Sequence, residues 1–252
     1  MGGDCISIRK FFTENENLID DKIYIRGLDY NHIKNVLRLK PGDNIIVNIG
    51  KDMEYKAKIT DFSKDCVEAE IIHSYQAETE PSVNISLFQA IPKGEKMEYI
   101  IQKAVEIGVV KIVPIITDRV IVKLDNKNAK NKTERWQRIS EQASKQNKRG
   151  IIPEIIIPLE LKQSMELLKK HDLVVILYEN ESNNKLRDVL SKIKKAVKDI
   201  AVLVGPEGGL SEKELEMLEE FEVVSLGNRI LRTETAGLVA ATVILYEIGD
   251  LG

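Results

Sequence analysis

The chain has 252 residues, 43% hydrophobic and 31% charged, with a formal net charge of −3, enough apolar material for one large core or two modest ones. No apolar run approaches the roughly 20 residues of a membrane span, and the opening MGGDCISIRKFF lacks the basic-then-apolar order of a signal peptide, so no membrane partner is expected and the cytoplasm is the expected compartment. Cys5 and Cys66 are isolated, and His32, His73 and His171 are scattered singly; no ligand spacing for zinc or haem exists, and no metal is expected.

In chain order, residues 1–76 show short alternating apolar runs broken by turn residues, the pattern of a small β-barrel. Asp29 to Leu39 suits a short helix closed by the turn Lys40-Pro41-Gly42-Asp43. Asn44 to Ile49, Glu54 to Thr60 and Cys66 to His73 suit strands. The polar stretch Gln76 to Ser82 marks a boundary, giving domains 1–76 and 77–252. Strand and helix then alternate. Val83 to Ala90 reads as a strand, Lys93 to Ile107 as a helix with the apolar stripe Met97, Ile100, Ile101, Ala104 and Val105, and Val109 to Ile116 as a strand. Thr133 to Gln146 is the next expected helix, Pro153 and Pro158 confine Ile151 to Ile157 to a short or edge segment, and Leu159 to Lys170 is helical. Leu173 to Tyr178 reads as a buried strand and Asn183 to Lys198 as a helix. Such alternation predicts an α/β fold with a mostly parallel sheet and helices on both faces, whose ligands bind beyond the carboxyl ends of the strands.

The densest signals lie at 200–246. Ile200 to Val204 is a strand apolar on both faces. It ends in Gly205-Pro206-Glu207-Gly208-Gly209, and the capping box Ser211/Glu214 opens a helix immediately afterwards. The logic repeats: Val223 to Leu226 is a strand, Gly227-Asn228 a bare loop, and Thr233 is expected to cap a final helix from Glu234 to about Glu247. That helix has almost no polar face, so it is expected to be buried nearly all round, with a second subunit as its simplest cover. The glycine loops are not a Rossmann fingerprint, which needs GxGxxG after the first strand of its domain, nor a P-loop, which needs Gly-Lys before Ser or Thr. A purely structural pair of tight turns stays open, as does a site for one small ligand. A Glu207 carboxylate there suits a cationic or neutral ligand better than a phosphate.

Charge is uneven. Residues 111–149 carry 11 Lys or Arg against 4 Asp or Glu, which reads either as a solvated face or as a phosphate-contacting rim for RNA. Lys123 and Lys127 fall there, in a stretch expected to be a loop.

Four segments, HIKNVLRLKPGD, PKGEKMEYIIQKAVEIGV, LVGPEGGLSEKE and LGNRILRTETA, resemble in sequence and order the family of 16S ribosomal RNA uridine-N3 methyltransferases, the RsmE family of the SPOUT superfamily. The resemblance implies a PUA-like N-terminal RNA-binding barrel, an α/β domain with a C-terminal trefoil knot, a homodimer, and S-adenosylmethionine as cofactor. It implies 16S rRNA, within the small ribosomal subunit, as the substrate. It places the cofactor among Gly205, Glu207, Gly208, Leu226, Gly227, Ile230, Leu231, Thr235 and Ala236, with Tyr178 and Glu179 from the preceding strand end. Arg232 and Glu234 become the catalytic candidates: uracil N3 must lose a proton, which needs a group to stabilise charge on the carbonyl oxygens and one to orient it or relay the proton. His32, Arg38 and Arg119 are implied RNA contacts. So are Gln146 and Arg149, which match a family segment similar to EQSGR; Lys123 and Lys127 are candidate RNA contacts on the charge of the basic stretch. The competing readings are a non-catalytic RNA-binding or ribosome-assembly protein and an enzyme of adenine-nucleotide chemistry without methyl transfer.

Overall fold

The computed structural model describes residues 9–13, 17–49, 53–120, 125–192 and 197–251. The chain divides into two compact units: Met1–Glu80 with Ser144–Ile152, and Pro81–Ala143 with Pro153–Gly252. The sequence reading put residues 144–152 in the second domain; in the structure they group with the first.

The first unit contains β1 (Lys10–Phe12), β2 (Leu18–Ile19), β3 (Lys22–Arg26), α1 (Gly27–Asn31) running into a π-helical turn at His32–Val36, β4 (Asn44–Asn48), β5 (Met53–Phe62) and β6 (Cys66–Gln76). The small barrel is one six-stranded curled sheet of order β1-β4-β5-β6-β3-β2. β1 and β4 are parallel and the other neighbours antiparallel. Alternation puts Ile45 and Val47, Ala57 and Ile59, and Val67 and Ala69 on one buried face with Ile23, Ile25 and Ile33. Register shifts between Lys56 and Ala57 and between Ile59 and Asp61 bend β5, which is how a sheet curls over a small core. The turn after the helix is closed as its residues dictate: Gly42 sits at φ +101°, and Asp43 accepts the Lys40 N–H at 2.7 Å.

A buried charge cluster completes this unit. Lys10 Nζ donates to Glu54 Oε1 at 2.5 Å and to the carbonyls of Lys148 and Arg149 at 2.7 and 2.6 Å. Glu80 accepts from the Arg149 guanidinium and from the Gly150 and Ile151 N–H groups. Burial, then the neighbouring Glu54 carboxylate, pushes the Tyr75 phenol above its usual value.

The second unit carries β7 (Asn84–Ala90), α2 (Lys96–Ile107), β8 (Lys111–Ile116), α3 (Asn126–Asn147, whose last residues belong to the first unit), β9 (Glu154–Ile155), β10 (Leu159–Glu160) and α4 (Leu161–Leu168). There follow β11 (Leu173–Leu177), α5 (Leu186–Leu190), β12 (Asp199–Val204), α6 (Glu212–Met217), β13 (Glu222–Val224) and α7 (Thr233–Glu247). The sheet order is β10-β8-β7-β12-β11-β13 with β9 also on β8, and every pairing is parallel. β12 lies inside. Its Ile200, Val202 and Val204 face the core formed with α2, α3, α5 and α7, while Ala201 and Leu203 face the core under α4 and α6. An apolar run with no alternation is what a strand covered on both faces requires.

Three helices differ from expectation. α3 starts at Asn126 rather than Thr133, because Asp125 Oδ1 accepts the Asn128 N–H at 2.7 Å and caps a turn that has no apolar period to reveal it. α5 runs over Leu186–Leu190 and starts later than expected, because Glu181 Oε1 accepts the N–H groups of Asn183 and Asn184 and holds that stretch as a loop beside β13; residues 193–196 of the expected helix lie outside the described residues. Thr233 is the first residue of α7, not its cap; Arg232 holds the cap position without a side-chain cap bond. Among the described residues α7 is covered mainly on one side: Gly237, Ala240, Ala241, Ile244 and Leu245 are buried, whereas Tyr246 is 64% exposed.

Gly237 lets α7 lie directly on the sheet. A Cβ there would sit 2.9 Å from Leu87 Cδ1 and 3.1 Å from Val204 Cγ2, both buried. Gly237→Ala should therefore destabilise the protein by about 1–3 kcal/mol through overpacking, read as a lower urea midpoint with an unchanged m-value.

Candidate functional site

β12, β11 and β13 are neighbours in one parallel sheet, so the three loops at their carboxyl ends converge. These loops, with the start of α7 and Lys96 at the start of α2, enclose a cavity of about 590 Å³. Gly227, at φ +108° with nothing within 4 Å of where a Cβ would stand, exposes bare backbone to it, and Gly205 lines it; Leu177, Val204, Leu226, Leu231 and Ala236 form apolar walls, and Glu179, Glu181, Glu207 and Glu234 line it with carboxylates. Bare backbone and apolar walls suit a purine ring, and carboxylates suit a sulfonium and an ammonium group, so the lining fits S-adenosylmethionine.

Of the thirteen cofactor and catalytic candidates, Tyr178, Glu179, Gly205, Glu207, Leu226, Gly227, Ile230, Leu231, Arg232, Glu234 and Ala236 line the cavity. Gly208 and Thr235 do not. The Gly208 carbonyl accepts from Arg119 Nη1 at 2.6 Å, and a Cβ at Gly208 would meet the Arg119 stem at 3.4 Å, so this glycine faces the arginine. Thr235 is exposed on the first turn of α7. Ile230 stands at the rim, 82% exposed. Arg232 Nη1 lies 3.9 Å from Glu234 Oε1, its side chain 82% exposed against 15% for the carboxylate.

Two interactions join the loops. Gln89 Nε2, on β7, donates to Thr233 Oγ1 at 2.9 Å, and Thr233 Oγ1 donates to the Gly205 carbonyl at 2.7 Å, a buried chain in which each bond polarises the next. Lys96 Nζ lies 3.2 Å from both Glu207 Oε1 and Glu234 Oε2, and Glu207 Oε1 also accepts the Lys93 N–H at 3.2 Å. The Glu234 and then the Glu207 hydrogen bonds raise the Lys96 ammonium above its usual value. Burial alone would push the Glu207 carboxyl up, but its own N–H, the Lys93 N–H and the Lys96 ammonium hold it below the usual value. Lys96 and Thr233 escaped the sequence reading. Lys96 did leave a signal, since a cation in the first turn opposes the helix dipole unless something else holds it.

The implied RNA contacts are dispersed. In the first unit His32 and Arg38 are exposed, His32 with its ring edge-on to Phe11 and Arg38 at φ +54°; Gln146 is exposed. Arg149 is 3% exposed and ion-paired with Glu80, so it is a structural residue and not a surface contact; a lone arginine in a basic run gives no hint of a buried acid 69 residues away. In the second unit Arg119 and Lys127 are exposed, Lys127 on α3 rather than in a loop. Lys123, like Cys5, lies outside the described residues. Among the described residues no helix is long and apolar enough to cross a membrane, and no cluster of three or more His, Cys, Asp or Glu is placed to hold a metal.

The fold and cavity define an RNA methyltransferase with an attached PUA unit: the family described as RNA methyltransferase domain matches residues 79–245, and that described as RNA methyltransferase PUA domain matches residues 25–72. Ribosomal RNA small subunit methyltransferase E of Bacillus subtilis is 36% identical over 88% of this chain and 89% of its own length. A crystal structure of ribosomal RNA small subunit methyltransferase E from Neisseria gonorrhoeae bound to S-adenosyl methionine superposes with a TM-score of 0.80 at 32% identity, covering 95% of this chain and 97% of that one. A putative methyltransferase from Legionella pneumophila in complex with the same cofactor gives 0.81 at 32% identity, covering 96% and 98%. The chain belongs to the ribosomal RNA small subunit methyltransferase E family.

Thr233→Val keeps the shape of the side chain but removes the Thr233 hydroxyl from the Gly205 carbonyl and leaves the Gln89 amide with only the Ala90 carbonyl at 3.1 Å. It should cost about 1–3 kcal/mol and weaken cofactor binding, while Thr233→Ser restores both in parallel urea and calorimetric titrations. The Lys96–Glu207–Glu234 cluster also sets a pH window. Glu207, lowered from 4.5, contributes fully above 4.5 and loses its contribution as pH falls through its lowered value; Lys96, raised from 10.5, contributes fully below 10.5 and loses its contribution as pH rises through its raised value. The cluster's contribution to folding stability should therefore be level across neutral pH and fall only in acid below 4.5 or in strong alkali, as urea midpoints measured over that range will read.

Proposed function

We propose that the chain is an S-adenosylmethionine-dependent methyltransferase that methylates N3 of a uridine in 16S rRNA. The single observation that carries this reading is the cavity: three strand-end loops bearing the GPEGG and LRTETA segments meet in one chamber whose lining fits a cationic nucleoside, in a chain of the small-subunit methyltransferase E family. S-adenosylmethionine, when bound, supplies an electrophilic methyl group on a sulfonium.

The protein's own residues do the rest. Gly205 and Gly227 let backbone groups approach the adenine, and Leu226 and Leu231 cover its faces. Arg232 stabilises negative charge spreading onto the uracil carbonyl oxygens as N3 loses its proton, and Glu234, 3.9 Å away, orients it or relays that proton. A largely exposed arginine beside a largely buried carboxylate supports this division: the carboxylate is fixed, and the guanidinium can swing onto an incoming base.

The same proposal includes a homodimer in the cytoplasm acting on the assembled small subunit. The half-covered Leu238, Val239 and Val243 and the exposed Tyr246 on α7 support a second copy over that helix, and His32, Arg38, Gln146, Arg119 and Lys127 are left as the exposed RNA contacts. A knotted path is part of it too. β12 lies inside the sheet, the chain passes out to β13 at the edge, and α7 returns against β7, β12, α2 and α5.

Nucleoside mass spectrometry of 16S rRNA from a strain lacking the gene should show N3-methyluridine lost. An unchanged level excludes the proposal, and together with no calorimetric response to S-adenosylmethionine it favours a non-catalytic RNA-binding protein. Arg232→Ala should lower kcat by about 10²–10³-fold with cofactor affinity retained.

A further inference from the structure

Lys96 occupies a place that its own helix disfavours. It is the first residue of α2, where the helix dipole repels a cation, and it is held there by two carboxylates from distant parts of the chain, Glu207 in the first glycine loop and Glu234 in the first turn of α7, each at 3.2 Å. An ammonium has three N–H donors. Two are committed, and no third acceptor is bonded to it among the described residues. The side chain lines the cavity and is 37% exposed, so the remaining donor is open to an incoming group. Both anchors are themselves fixed: Glu207 by the Lys93 N–H, Glu234 by burial at the head of α7. The charge is thus positioned before any substrate arrives, the condition under which an electrostatic donor contributes most to a reaction.

The geometry points to Lys96 as a catalytic residue of the proposed methyl transfer, donating its remaining N–H to a uracil carbonyl oxygen beside N3 as that oxygen gains negative charge. The inference rests on the uridine-N3 reading above. Uracil N3 is flanked by two carbonyls, so charge released at N3 spreads onto two oxygens on opposite sides of the reacting nitrogen. Arg232 serves one of them and Lys96 the other. In the step itself the N3–H bond breaks and its proton passes to Glu234 or to water. The N3 electron pair forms the new bond to the methyl carbon, and the methyl–sulfur bond breaks with its pair going to sulfur. Lys96 stays protonated throughout, because the carboxylates that place it also favour its charged form, so it is not the proton acceptor. Glu207 and Glu234 gain a second task, as positioning residues for the ammonium.

The test compares the full-length wild type with Lys96→Met, Lys96→Gln and Lys96→Arg on small ribosomal subunits from the deletion strain, containing either uridine or 5-fluorouridine. Fluorine withdraws electrons and makes N3–H more acidic, so less help from a cation is needed. Lys96→Met and Lys96→Gln should lower kcat on uridine by about 10²–10³-fold, with the calorimetric Kd for S-adenosylmethionine near the wild-type value, and the defect should shrink on 5-fluorouridine. Lys96→Arg, which keeps the charge, should recover part of the rate. A defect of equal size on both substrates, or one confined to cofactor affinity, overturns the proposal in favour of a structural latch; Lys96→Gln retains donors for the carboxylates and keeps the comparison decisive if the methionine variant does not fold. A wild type that leaves uridine unmethylated overturns the N3 reading itself and is distinguishable from both.

Discussion

The Thr233 hydroxyl is the constraint on which the site depends. It accepts a hydrogen bond from Gln89 at the end of β7 and donates one to the Gly205 carbonyl at the end of β12, so one side chain at the head of α7 sets the height of the first glycine loop above the sheet. Because β7 and β12 are adjacent and parallel, and Gly237 lets α7 press against both, the loop, the helix and the strand ends form one rigid corner. The cavity is the space left beside that corner. Lys96 adds a second tie across its mouth, electrostatic where the first is a neutral hydrogen bond, and the two together make the cavity pre-formed instead of assembled by its ligand.

Much of this was legible in the sequence where the cause is local. Ile200 to Val204 reads as a doubly buried strand because no residue in it is polar, and β12 is buried on both faces. The Ser211/Glu214 box reads as a helix start because its two hydrogen bonds close within three residues, as they do here. The eleven lining residues that were anticipated came from the resemblance of their motifs, and seven of them, Tyr178, Glu179, Gly205, Glu207, Leu226, Gly227 and Ala236, lie at a strand end or at or beside a glycine.

What was not legible has partners far away. Lys96 meets acids 111 and 138 residues further on, and nothing near it in sequence names them. Thr233 has the composition of a helix cap, and only the close approach of Gly205 and Gln89 recruits its hydroxyl elsewhere. Arg149 sits in a run of Lys and Arg that resembles a solvated face, yet Glu80 buries it. The start of α3 failed for the opposite reason: it is local, but an Asn- and Lys-rich turn offers no apolar period, and one aspartate cap decides the outcome.

The first unit is discontinuous, because residues 144–152 supply the carbonyls that satisfy Lys10 and the guanidinium that neutralises Glu80. During synthesis, residues 1–80 leave the ribosome with a lysine and a glutamate destined for burial but without those partners. Lys10 still has Glu54, but its other two acceptors are missing and Glu80 has no counter-charge; an unpartnered buried charge is costly, so this unit cannot close fully until some seventy further residues have emerged. The usual order, in which an N-terminal domain finishes before the next begins, is thereby broken: the RNA-binding unit reaches its final state only after β7, α2, β8 and α3 of the catalytic unit have been made. A gene fragment ending at residue 80 encodes an incomplete module, and one seeking to transplant it must carry the helix end along.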